Sequence, residues 1–364
     1  MTAAGTVRPS TTVAVTTAPI EVEASPRAWT VQALDDRPVR IEVVVGGDLL
    51  VHRAVWESAA ANAEGAGYDF GPMFDVIRPF VASADLALCH LEVPLSADGA
   101  DLSSFPVFNA PFELADAIAG AGFDGCSVAS NHTLDQGTGG IDATLGHLDR
   151  VGVGHSGAAR SPEEGAAVPT YEVRGRSIAH LSYAYGFNGF RVPPDEPWRV
   201  NQIEVGRILE DARRARDSGA DMVLVSLHFG TEYQWRPSAY QRDVVDGLTA
   251  SPDVDLVIGH HAHVVQPVGL VGGTPVIYGL GNLLSNMTQP ERRDGVLVRA
   301  AFDLVPGAEP VLVEVDALPT EVDRLDRHRI VVAPPESWDR TMAVLNAEAP
   351  LVAPVELVVE DPAA

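Results

Sequence analysis

A chain of 364 residues, 46% of them hydrophobic, can bury one large core or two ordinary ones, which excludes a fibrous or wholly disordered protein. Lysine and arginine together number 25 against 50 aspartates and glutamates, and the formal charge of −25 excludes a nonspecific electrostatic hold on a phosphate backbone. No nucleic-acid partner is expected.

Residues 1–36 are rich in Thr, Ala, Pro and Val without a basic start or a continuous apolar core. They read as a flexible tail and not as an export signal. No later run reaches the roughly 18 apolar residues that a membrane span needs, so the chain as it stands is expected to be soluble and cytoplasmic. Removal of a leader segment would make it extracytoplasmic. Cys89 and Cys126 are too few for a disulfide framework and lack C-x-x-C spacing; set in apolar runs, they read as buried thiols.

From Val39 onward strands alternate with amphipathic helices. Ile41–Val45 is a β-branched run closed by Gly46-Gly47-Asp48, a helix is predicted over Phe70–Val81, and Leu86–Leu91 is the next strand. Helices follow at Pro111–Ala121 and Gly139–Val151, with a strand at Gly125–Ala129 between them. Tyr171–Val173 and Ser177–Ser182 form a hairpin about Arg174-Gly175-Arg176. Next come helix Val205–Asp217, strand Met222–Leu227, helix Tyr240–Leu248 and strand Val254–Ile258. Short strands at Val276–Tyr278, Gly295–Phe302, Val311–Val315 and Ile330–Val332 are spaced as an antiparallel sheet, and residues 335–364 hold a helix and a last strand. The expected organisation is a tail over 1–38, one α/β domain over 39–318 and an extension over 319–364 packed on it.

The chemistry gathers where strands end. The carboxyl ends of strands in an open α/β sheet share one crevice, so residues far apart in sequence can converge there. Of 11 histidines, His52, His90, His132, His228, His260, His261 and His263 fall at these points. In an extended backbone residues two apart project to the same side, so His261 and His263 can face one ion while His260 points away. A carboxylate can bridge two cations, which an imidazole cannot, and Glu92 suits that task; Asp48 holds one metal, and Asn131 offers an uncharged carbonyl to the second. His228, His261 and His263 complete the ligands, leaving His132 as general acid. Asp135 either orients His132 or caps the next helix, and Gly281-Asn282 reads as a turn.

The blocks GGDLLVH (46–52), LCHLEVPLS (88–96), VASNHTLDQGTGGIDATLGHL (128–148), LVSLHFGTEY (224–233), VIGHHAHVVQPV (257–268) and VIYGLGNLLSN (276–286) carry a resemblance. In this order they resemble the CapA family of capsule or poly-γ-glutamate synthesis proteins, within the metallophosphatase-like (calcineurin-like phosphoesterase) superfamily, over about residues 40–290. The resemblance implies a sandwich of two mixed β-sheets flanked by helices, with a dinuclear metal centre at the strand ends, and strands ending in Asp, Glu, Asn and His suit manganese, iron or zinc. Three departures stand out. The superfamily's D-x-H is here Asp48-Leu49-Leu50, so either His52 supplies that ligand or it is absent. His90 stands where the family commonly has Asn, as a ligand or as a neighbour. The final G-H-x-H carries one extra residue, which leaves His260 to orient the His261 and His263 pair. The run 182–190 resembles the family's tyrosine- and glycine-rich loop; with Glu232 and Tyr233 it supplies substrate contacts, Tyr185 and Asn188 among them.

Two classes of function follow. One is a metal-dependent hydrolase that cuts a phosphoester or a γ-glutamyl-type amide, in a small molecule or a polyanionic polymer. The other is a noncatalytic accessory component of a polymer synthesis or export complex that keeps the fold.

Overall fold

Side chains on successive residues of a strand point to opposite faces, and here both faces of the central strands are buried. The computed structural model describes residues 37–355. Residues 1–36 of the expected tail lie outside them, as does the end of the expected extension. In chain order the elements are β1 (Val39–Leu50), α1 (Arg53–Asn62), α2 (Arg78–Val81), β2 (Leu86–Leu91), α3 (Leu114–Ala121), β3 (Gly125–Ser127), α4 (Gly137–Val151) and β4 (Gly154–Ser156). They continue with α5 (Pro162–Ala166), β5 (Thr170–Val173), β6 (Arg176–Ala184), α6 (Val205–Asp217), β7 (Met222–His228), α7 (Ala239–Thr249) and β8 (Leu256–His260). Last come β9 (Val268–Val271), β10 (Thr274–Ile277), β11 (Asn282–Ser285), α8 (Pro290–Arg293), β12 (Asp294–Leu304), β13 (Val311–Asp323), β14 (Arg329–Val332), α9 (Pro335–Leu345) and β15 (Ala353–Pro354).

These strands make two mixed sheets. One runs β14-β13-β12-β1-β2-β3-β4, with β11 also beside β1 and β15 beside β13; the other runs β5-β6-β7-β8-β10-β9. The sheets face each other across a core of Ile41, Val43, Leu86 and Leu88 from the first and Ile178, Met222, Leu224, Leu256 and Ile258 from the second. Residues of opposite parity, such as Val44, Ala87 and Cys89, pack under α1, α3 and α4, and Val223, Val225 and Val257 pack under α6 and α7. The result is the expected α/β sandwich flanked by helices. Each fully buried Leu or Ile adds about 1.5–3 kcal/mol to its stability.

Several expectations change. The helix over Phe70–Val81 breaks into a 3₁₀ turn (Gly71–Met73) and α2, because Pro72 and Pro79 each allow only the first turn of a helix. Helix α1 was not anticipated, and it covers the outer face of the first sheet with Val55, Trp56 and Ala59. Cys89 and Cys126, expected as thiols, lie opposite each other in the β2–β3 ladder and are joined as a disulfide. The expected boundary at 318/319 falls inside β13, which is paired along its length with β12.

Candidate metal centre

The inward face of each central strand changes chemistry toward its carboxyl end. On β2 the inward parity reads Leu86, Leu88, His90 and then Glu92; on β7 it reads Met222, Leu224, Ser226 and His228; on β8 it reads Leu256, Ile258 and His260. Adjacent strands in register set these polar ends side by side, His228 opposite His260 and Asp48 opposite His90. Asp48 arrives through an irregularity: β1 loses register with β2 between Val45 and Asp48, and with β11 between Asp48 and Leu49. A bulge re-aims the side chain that follows it. Gly47 permits this one, since a Cβ there would strike the carbonyl oxygens of Leu280 and Gly281.

Two groups of ligand atoms result, Asp48 with His90 and His260, and Glu92 with His261 and His263, each lying within 4.8 Å of one another. His263 joins the groups, with Nδ1 3.1 Å from Asp48 Oδ2 and Nε2 3.6 Å from Glu92 Oε1. His260 Nδ1 is 3.3 Å from Asp48 Oδ1, and the His261 backbone N–H donates to Asp48 Oδ2 at 3.2 Å. His228 Nε2 donates to Asn131 Oδ1 at 2.9 Å and lies 3.8 Å from Glu92 Oε1. Since the Asn131 oxygen only accepts, His228 Nδ1 is left to accept from His90 Nε2 at 2.9 Å. His90 Nδ1 in turn meets Ser127 Oγ at 2.7 Å.

This arrangement is unsatisfied as bare protein. Both oxygens of Glu92, Asp48 Oδ1, His260 Nδ1 and His261 Nδ1 are buried without a hydrogen-bond partner. Burial pushes the Glu92 carboxyl up to about 8 against the pull of His263, and it lowers His261 to about 3 and His90 and His228 well below the usual imidazole range. Asp48 is raised by burial, but the His260 and His263 rings beside it outweigh that and hold it below the ordinary carboxylate range. For His263 burial is the largest influence and lowers it, yet Glu92 and Asp48 together raise it to about 9. An isolated buried carboxylate costs several kcal/mol, and neutral imidazoles with free lone pairs are the ligating form. The donor set therefore fits divalent cations.

Beside this cluster His132 Nδ1 meets Asp135 Oδ2 at 2.8 Å, and the same oxygen accepts from the Phe108 N–H at 2.6 Å. Asp135 thus orients His132; α4 begins after Gln136 with no side-chain cap. The four residues expected to contact substrate stand at the rim. Tyr185 leans over His261 with ring centroids 4.7 Å apart and planes tilted by 42°, Asn188 accepts from Asn131 Nδ2 at 3.3 Å, and Tyr233 lies 6.1 Å from the His263 ring. The charge of Glu232 is felt by Glu92, His263 and Tyr233.

The structure corrects parts of the expected site. His261 and His263 do not share a side through extended backbone: β8 ends at His260, and the two residues take φ of 84° and 52°. Asn188 and Tyr233 are also left-handed, so four of the six non-glycine residues with positive φ among the described residues surround the centre. Such backbone costs of order 1–3 kcal/mol per residue and persists where the surrounding structure imposes it. His52, expected as a ligand, belongs to neither group; its Nδ1 lies 2.9 Å from Leu50 O, to which it donates, and 3.3 Å from Asn286 N. His90, expected as a ligand or a neighbour, and His260, expected to orient the pair, stand in the group with Asp48. The alternation of β2 and β8, Leu-x-Leu-x-His and Leu-x-Ile-x-His, is the signal that places them inward. Asn282 is no turn residue but the start of β11, opposite Asp48; its Oδ1 is 3.1 Å from His263 Nδ1 and its Nδ2 donates to His263 O.

Residues 42–287 match the family described as Bacterial capsule synthesis protein PGA_cap. A capsule biosynthesis protein CapA of Bacillus anthracis is 24% identical over 284 residues, 73% of this chain and 67% of that protein. A PGA biosynthesis protein CapA of Bacillus subtilis (strain 168) is 30% identical over 176 residues, 47% of this chain and 45% of that protein. Among solved structures, a putative 5'-nucleotidase from Staphylococcus aureus, in complex with alpha-ketoglutarate, superposes with a TM-score of 0.51 at 14% identity, covering 84% of this chain and 58% of that one. That last likeness is one of fold.

Proposed function

This chain belongs to the bacterial capsule synthesis protein family PGA_cap, and from that membership we propose a metal-dependent hydrolase with a two-ion centre. Its substrate is an anionic polymer or a fragment of one, cut at a γ-glutamyl-type amide or a phosphoester. The observation that carries the reading is Glu92, whose two carboxyl oxygens are buried and unpartnered near His228 and His261, imidazoles that burial keeps neutral. The names of the relatives, capsule biosynthesis and PGA biosynthesis, support the polymer class.

In this reading Asp48, Glu92, Asn131, His228, His261 and His263 hold the ions, and His90 and His260 take the place beside Asp48 that His52 leaves. Divalent manganese, iron or zinc bound there would supply Lewis acidity and a water of lowered pKa. The chain's own groups act around it. His132, held through Nδ1 by Asp135, presents Nε2 to protonate the departing oxygen or nitrogen. Asn188, beside both His132 and Asn131, orients the substrate across the two. Tyr185 closes one side of the His261 ring and keeps bulk water from it.

The test is metal analysis of the full chain followed by a panel of phosphomonoesters, phosphodiesters and γ-glutamyl peptides with manganese or zinc. Metal-dependent turnover of one class that is lost in Glu92→Ala is expected. A fully metal-loaded protein inert toward every class would overturn the hydrolase and favour an accessory component of polymer assembly.

A further inference from the structure

In a chain with a formal charge of −25, a cation left without a counter-ion next to a cluster of ligands stands out. Arg292 is one. Its neighbour Arg293 pairs with Glu321 at 3.1 Å and Arg340 pairs with Asp294 at 2.6 Å, whereas Arg292 makes no ion pair among the described residues and its Nε is buried without a hydrogen-bond partner. Glu291 precedes it in sequence, and among the described residues neither Glu291 nor Glu232 forms an ion pair with it.

What holds Arg292 also holds the centre. Asn282 donates through Nδ2 to the Arg292 carbonyl at 2.8 Å while its Oδ1 faces His263 Nδ1 at 3.1 Å, so one buried amide fixes both residues. The guanidinium lies 3.6 Å above the Tyr233 ring, and the Tyr233 N–H donates to the carbonyl of Ala262, between His261 and His263, at 2.7 Å. A guanidinium laid over a ring uses its face, and with Arg292 Nε buried the two terminal Nη groups remain in the plane to donate to a carboxylate. A second pair of the same kind follows, Arg236 over Trp235 at 4.6 Å. A mostly apolar hollow of about 420 Å³, bordered by Tyr233, Trp235, Val264, Val265 and Val344, opens beside them.

We propose that Arg292, laid on Tyr233 beside His263, is the anion-recognition element of this site and takes a carboxylate of the substrate chain next to the bond that is cut. The inference rests on the hydrolase reading and narrows it to carboxylate-bearing chains of the γ-glutamyl kind. Arg236 on Trp235 receives a further carboxylate along the same chain, with the methylene groups between them over the hollow. In an acidic protein these cations offset at the mouth the repulsion that an anionic polymer meets elsewhere.

The test is calorimetric titration of the full chain with tri-γ-glutamate, with the same tripeptide carrying α-carboxamides, and with inorganic phosphate, in the wild type and in Arg292→Gln and Arg292→Lys. The wild type should bind the acid form about tenfold or more tightly than the amide, as a charge-assisted bidentate contact predicts. Arg292→Gln should erase that preference while metal content and melting temperature hold, and Arg292→Lys should keep part of it. A wild type without the preference, an Arg292→Gln protein that retains it, or tighter binding of phosphate than of tri-γ-glutamate would overturn the assignment. Cleavage is followed in the same samples: bound but uncut peptide strikes the hydrolase reading alone, and the binding preference still decides the role of Arg292.

Discussion

Two halves of one layer lie between the sheets, built from the same strands at the same parity. In the amino-terminal half Ile41, Val43, Leu86, Leu88, Met222, Leu224, Leu256 and Ile258 meet as an ordinary apolar core. In the carboxyl-terminal half the next inward positions are His90, Glu92, Ser226, His228 and His260, and Asp48 joins them by way of a bulge. Burial is equally deep in both, with Leu224 and His90 each at 0% exposure, so depth does not distinguish them. The first half is stable by transfer of apolar surface from water. The second holds orphaned carboxylate oxygens and ring nitrogens, groups that bound cations would satisfy.

The comparison can be broken from either half. The largest effect is expected at the chemical end: His132→Ala should keep its metal and lose roughly 10²–10⁴-fold in kcat, whereas Asn131→Ala should lose metal and activity together. Near-normal kcat in a metal-loaded His132→Ala enzyme would remove it from the proton-transfer role. In the apolar half Leu224→Ala should cost about 2–5 kcal/mol of stability by denaturant titration with metal stoichiometry unchanged. Metal loss there would mean that the two halves are not separable. The smallest effect sharpens the boundary between ligands and neighbours: His90→Ala or His260→Ala should weaken metal binding about 10–100-fold, while His52→Ala should leave it near the wild-type value. Competition with a chelator of known affinity measures all three, and an equal loss in His52→Ala would restore it as a ligand.

Much of this was legible without coordinates, for reasons that differ by residue. Helix Val205–Asp217 has the expected bounds to the residue because its apolar positions repeat at helical spacing, and in the structure Glu204 caps it. The strand ends carrying Asp48, Glu92, Asn131, His228 and the His260–His263 run were visible because apolar runs stop abruptly at polar groups. What escaped depends on long-range register or on backbone that no local signal encodes. The bulge at Asp48 exists because Gly47 meets the Leu280–Gly281 backbone some 230 positions away, and Asn282 acquires its role only by lying opposite Asp48. The left-handed φ of His261 and His263 belies the extended geometry that H-x-H spacing suggests. Cys89 and Cys126 meet because β2 and β3 are adjacent and in register, which their flanking residues do not reveal. His90 and His260 were within reach, since counting inward positions along β2 and β8 places both beside Asp48.

The central claim is that the polar half of the layer is a cation site and not a satisfied core. It is tested most directly by the metal content of the purified full chain, measured by mass spectrometry before and after chelation alongside its melting temperature. The account predicts about two divalent ions per chain, a lower melting temperature once they are removed, and recovery on adding manganese or zinc. A metal-free chain with a melting temperature indifferent to chelator and to added metal would contradict it.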